Sequence, residues 1–172
     1  MTEHLSAEDL VALVRRVFLP RTDDTAIAIL VDLPDVVRPD HSAWRTRREM
    51  AAEWTTLLDA QHAALGLHTH LVLFRNAHTN NGDLPSEGAW MHRGGALPES
   101  AEALAGEPVI SWPEVFSGHS ILIAPTQYSA TAPLKVAARS AAIRAATMPG
   151  FRSDMIPALR LSANMHMIFW PC

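Results

Sequence analysis

Two stretches of this chain concentrate the polar residues that could do chemistry. One is Asn80-Asn81-Gly82-Asp83, and the other is Thr126-Gln127-Tyr128-Ser129-Ala130-Thr131. Each follows a short apolar run, Thr69 to Phe74 and Ser120 to Ala124, that reads as a buried strand. In α/β folds, ligands usually sit beyond the carboxyl ends of strands. Asn80, Asn81, Asp83, Thr126, Ser129 and Thr131 are therefore the candidate ligand-binding residues. The competing reading is turn chemistry, with Ser129 or Thr131 capping the Ala-rich segment that follows.

Nine histidines raise the question of a metal. His68 and His70 lie two apart, in or beside a strand, and could gather with His78 and His92. Catalytic zinc needs three converging protein ligands, and the chain contains no HExxH. It also lacks GxSxG, GxxxxGK[ST] and GxGxxG, so neither a nucleophile elbow nor a phosphate cradle is marked. The one cysteine, Cys172, is the last residue, which excludes a CxxC site and an intrachain disulfide. The residues assign no catalytic group and no metal ligand.

Composition narrows the classes further. With 172 residues, 48% hydrophobic and 19% charged, the chain suits one globular domain. A net charge of −4 without a basic stripe argues against nucleic-acid binding. No run reaches the ~20 apolar residues of a membrane span. Glu3, Glu8, Asp9, Arg15 and Arg16 interrupt any apolar core of a secretory signal, so a cytoplasmic location is expected.

The elements that must position these residues alternate. Ser6 to Phe18 reads as a helix opened by Ser6 and Asp9 and stopped before Pro20. Thr25 to Val31 is an apolar strand broken by Asp32-Leu33-Pro34-Asp35. A long helix begins at Asp40 or Ser42 and runs to about Leu65. It packs Trp44, Ala51, Trp54, Leu58 and Leu65, with Arg45, Arg47 and Arg48 mostly off that face. Short helices are expected at Ser86 to Met91, Pro98 to Ala105 and from Trp112. The Ala-rich run Leu134 to Ala146 is a helix, Arg144 to Gly150 gives a fourth strand, and Ser153 to Leu161 a last helix. The order predicts an α/β three-layer sandwich with a small, mainly parallel sheet of about four strands, of the Rossmann or flavodoxin-like kind. One domain spans residues 1–161. Residues 162–172 form an apolar tail without charge, which favours self-association.

Three stretches carry a resemblance: Asp23 to Asp32, Ser129 to Lys135, and Arg144-Ala145-Ala146-Thr147-Met148-Pro149-Gly150-Phe151. They resemble the N-terminal half of aminopeptidase T-like proteins, which are leucyl-aminopeptidase-type metallopeptidases. The likeness runs from about Asp23 to Leu161 and then fails. It implies an N-terminal α/β domain of a two-domain enzyme, here truncated or frameshifted, with a structural, substrate-gating or dimerising role. In that family the ligands of the divalent metal, zinc or cobalt, lie in the C-terminal domain. Hence no catalytic or metal-binding residue is carried over, no cofactor is expected in this chain, and a peptide substrate belongs to full-length relatives alone. The alternative is a stand-alone α/β module that binds a small ligand over the two polar turns.

Overall fold

The first apolar run forms the central strand. In the computed structural model, which describes residues 3–160, strand β1 (Ile27–Leu33) is buried at all seven positions. It pairs in parallel with β2 (Thr69–Arg75), from Ile27 opposite Thr69 to Leu33 opposite Arg75. On its other edge it pairs in parallel with β4 (Ile121–Ala124), Ile27 lying opposite Ile121. Strand β5 (Arg144–Thr147) continues the parallel sheet beside β4. Strand β3 (Trp90–His92) closes the far edge, antiparallel to β2. The sheet order is therefore β3-β2-β1-β4-β5.

Period-2 alternation sorts the core onto two faces. Ile27, Ile29, Val31 and Leu33 join one cluster with residues of α1 (Ala7–Phe18) and α2 (Ser42–Asp59). Ala28 and Leu30 join another with Val115 of α4 (Trp112–Gly118) and Leu134 of α5 (Thr131–Ala137). The result is the expected α/β sandwich around a mostly parallel sheet. The Trp44 and Trp54 side chains are fully buried, as the helical spacing required.

Local signals account for most boundaries. Ser6 and Asp9 form a reciprocal capping box at the start of α1, and Ser111 and Glu114 form another at α4. At α2 the cap is His41, whose ring accepts from the Trp44 N–H; Asp40 is instead engaged by Arg48. Helix α2 stops at Asp59, short of Leu65, because that carboxylate takes the Thr69 N–H and the His68 ring at the entry to β2. A separate turn of helix, α3 (His62–Leu65), ends on Gly66 at φ 72°.

Four expectations change. Trp90 to His92 is a strand, where a short helix over Ser86 to Met91 was expected. Gly88 sits at φ 96°, and Ala89 exchanges both backbone hydrogen bonds with Ile110, so the chain is already extended there. That strand makes the sheet five-stranded. Helix α5 ends at Ala137, where Arg139 and Ser140 turn back onto the carbonyls of Val136 and Ala137, freeing residues 144–147 to pair with β4. Pro98 to Ala105 contributes a 3-10 turn at Ala101–Leu104. Ser153–Met155 is likewise 3-10, followed by α6 (Ile156–Arg160). The apolar tail expected at 162–172 lies outside the described residues. No helix among the described residues is long and apolar enough to cross a membrane.

Candidate functional site

The chain leaves β1 towards β2 on one side and later returns to β4 on the other, so the sheet has its switch point between β1 and β4. In open α/β sheets the crevice beyond that point is the usual ligand position. Here Asp32, the penultimate residue of β1, occupies it. Its side chain is on the same strand face as Ala28 and Leu30 and is 1% exposed. Oδ1 accepts the Gln127 N–H at 2.7 Å and Oδ2 the Tyr128 N–H at 2.9 Å. Burial pushes this carboxyl up to about 6; the two N–H groups and the charge of Arg47 pull against it.

Gln127 relays the contact to α2. Its Oε1 accepts from Arg47 Nη1 at 2.7 Å, while Arg47 Nε donates to the Phe151 carbonyl at 2.8 Å. Trp44 Nε1 donates to the Asp32 carbonyl at 2.9 Å, and the Tyr128 ring meets Trp44 edge-on, 5.9 Å between centroids. Thr126 is wholly buried with its hydroxyl unpartnered among the described residues.

The remaining candidate residues bind each other. Asn80 Oδ1 accepts the Ser129 N–H at 2.9 Å, and the Asn81 N–H reaches the Ser129 carbonyl at 2.7 Å. Asn81 Oδ1 accepts from the Ser129 hydroxyl and the Ala132 N–H, both at 3.0 Å. The Thr131 hydroxyl meets that of Thr147 at 2.8 Å. The turn after β2 is thus tied to the turn after β4, and both bracket the end of β1. Asp83 is exposed and takes no part. The two turns are brought together as polar neighbours, and much of their hydrogen-bonding capacity is spent on the tie.

The histidines are dispersed among other partners. His68 pairs with Asp59 and stacks on His62, ring centroids 4.5 Å apart. His70 Nδ1 lies 2.9 Å from Nε2 of the buried His119, whose Nδ1 faces the Val115 carbonyl. Burial above all lowers the His119 pKa, with the Val115 carbonyl opposing and the charge of His70 adding to the fall. His78 Nε2 sits 2.6 Å from the buried Asp35 carboxylate. Burial alone would raise Asp35, but His78 and the N–H groups of Arg38 and Val37 hold it below the usual carboxylate range. Among the described residues no three His, Cys, Asp or Glu side chains converge on a point that could hold a metal ion.

Comparison with protein-family models, with curated proteins and with solved structures finds no match to this chain.

The residues that sequence reasoning passed over are Asp32 and Arg47. Arg47 is 3% exposed, although it was placed off the apolar face of its helix. A signal was there: Arg47 stands three residues after Trp44, four before Ala51 and seven before Trp54, on the buried stripe itself. Arg48, equally buried, is matched by a two-pronged ion pair to Asp40, with N–O distances of 2.9 and 2.8 Å. Arg47 has only neutral acceptors within hydrogen-bonding reach among the described residues. It forms part of the wall of an open cleft of about 360 Å³ between the first turns of α2 and residues 151–154.

Proposed function

We propose that this chain acts as a non-catalytic α/β domain with a structural, substrate-gating or dimerising role. It is the N-terminal half of an aminopeptidase T-like metallopeptidase of the cytoplasm. The observation that supports this reading is the closure of the switch point by the protein's own groups. The Asp32 carboxylate, which stands where an α/β enzyme would meet its substrate, is engaged by the backbone of Gln127 and Tyr128. It is sealed from water, and the polar turns on either side are tied together. A carboxylate held in this way fixes the turn after β4 to the end of β1 and is poorly placed to move protons to a ligand. The described residues gather no ligand set for a divalent ion. Chemistry of that kind, in which metal ions activate water and polarise a peptide carbonyl, would belong to another domain.

The test is direct. The purified chain, supplied with zinc or cobalt, is expected to release no leucine from a chromogenic amide, and to sediment as a dimer of the 18.8 kDa chain. Metal-dependent release that a chelator abolishes would overturn the non-catalytic reading. A monomer at all accessible concentrations would remove the dimerising part of it.

A further inference from the structure

The cleft beside α2 has features that the proposed domain role does not use. Arg47, a residue 3% exposed, lines it, with Nε and Nη1 held by the Phe151 carbonyl and Gln127. Arginine carries five N–H donors, and Nη2 carries no hydrogen bond to another described residue. Buried charges are ordinarily matched by an opposite charge at contact distance. Arg48 has such a partner, and among the described residues Arg47 has none within 4 Å. Arg152 at the rim repels Arg47, adding to the lowering that burial imposes and Asp32 only partly offsets.

The rest of the lining defines the complementary ligand. Ser42 and Ala43 open α2, whose first turn carries no acidic residue, and its cap is directed at the Trp44 N–H. Met50 and Phe151 provide apolar wall. Asp154 also lines the cleft, tied to Arg152 at 2.7 Å. The cleft therefore presents one positive charge with no carboxylate at contact distance among the described residues, beside apolar surface, which suits a single negative charge and disfavours a dianion such as phosphate. A volume of about 360 Å³ corresponds to roughly a dozen waters at ~30 Å³ each. We infer that this cleft binds a small monocarboxylate with an apolar body, its carboxylate on Arg47 and its hydrocarbon against Met50 and Phe151.

The inference is independent of any family membership and is tested on the full chain with 4-methylpentanoate as probe and 4-methylpentanamide as its uncharged counterpart. Titration followed by amide chemical shifts is expected to give saturable movement at Ser42, Ala43, Arg152 and Ser153, with a Kd of about 1 mM, as for one charge-assisted contact plus modest apolar burial. The amide should produce none. Arg47→Gln should abolish binding, but it also removes the Phe151 tie and could unfold the chain. Thr46→Glu avoids that difficulty, because Thr46 is exposed and lines the cleft. It places a carboxylate at the site and should weaken binding about tenfold or more through like-charge repulsion. Equal binding of acid and amide, shifts confined to other surfaces, no saturable shift, or a folded Thr46→Glu protein with unchanged affinity would each overturn the assignment.

Discussion

Replacing Asp32 by Asn should change how stability depends on pH more than it changes stability itself. The folded protein holds this carboxyl at about 6, against an ordinary aspartate value of ~3.9. At 1.36 kcal/mol per pH unit, that gap amounts to roughly 3 kcal/mol. The sign follows from proton counting. Between the two values the native state binds the proton and the unfolded state does not, so stability falls as pH rises. The contribution is fully present below about pH 4 and gone above about pH 6.5. Asn cannot titrate, so the variant has no such pH dependence. It also offers one acceptor oxygen where the carboxylate offers two, leaving either the Gln127 or the Tyr128 N–H against an amide NH2, at about 1–3 kcal/mol. Urea unfolding of both proteins at several pH values between 4 and 7.5 isolates Asp32, because the other titrating groups cancel in the difference. The variant should be the less stable by about 1–3 kcal/mol near pH 4.5, and the difference should move in its favour by roughly 2 kcal/mol before pH 7. A gap that stays constant across this range, or widens as pH rises, would refute the account of a desolvated carboxyl at the strand end.

Three other substitutions probe the surroundings. The Asp24 side chain is 5% exposed and accepts from the Arg21 N–H, the Ser120 hydroxyl and Arg144; burial pushes its pKa up, but these donors win and hold it below the usual range. Asp24→Asn should cost about 1–3 kcal/mol at neutral pH, a loss that vanishes as pH falls through the lowered value, opposite in slope to Asp32 and readable when the urea series is extended below about pH 4. Thr126→Val keeps the shape of a wholly buried side chain while removing its unpartnered hydroxyl. It should raise stability by about 1 kcal/mol, measured as a higher urea midpoint at unchanged m. Gly88→Ala would set a Cβ 2.3 Å from the Ile110 carbonyl oxygen at a φ of 96°. It should destabilise by at least ~2 kcal/mol and be accompanied by a shift in tryptophan emission from Trp90 and Trp112.

The parts of the fold legible from sequence were those written in local pattern. The run Ile27 to Val31 announces a strand buried on both faces because parallel strands flanked by helices carry apolar side chains at every position. The Ser6 and Asp9 pair announces a helix start for equally local reasons. Asp32 was read as a strand breaker because acids rarely enter buried strands; what accommodates it is a pair of backbone N–H groups some 95 positions away. Distant pairing of that kind leaves no trace in a window of ten residues. Trp90-Met91-His92 was similarly hidden, since three residues are too few to show alternation and the strand is imposed by the neighbouring bridge of Ala89 to Ile110. The candidate site was half legible. The polar turns were placed correctly at the carboxyl edge, but their hydrogen bonds to one another depend on the sheet order. Arg47 kept the helical spacing of a core residue, yet its charge suggested a surface position.

The central place of β1 has a consequence for how the chain is made. Its partner β4 begins 94 residues later, with Ile121 opposite Ile27. At translation rates of about 5–20 residues per second, roughly 5–20 s pass between the synthesis of one strand and the other. During that interval β1 can pair with β2, while its other edge stays open and Asp32 lacks the two donors that later surround it. The nascent chain therefore carries an apolar strand edge in search of a partner for seconds. A burst of chaperone engagement that ends once Tyr128 has cleared the ribosome would be the signature of this delay.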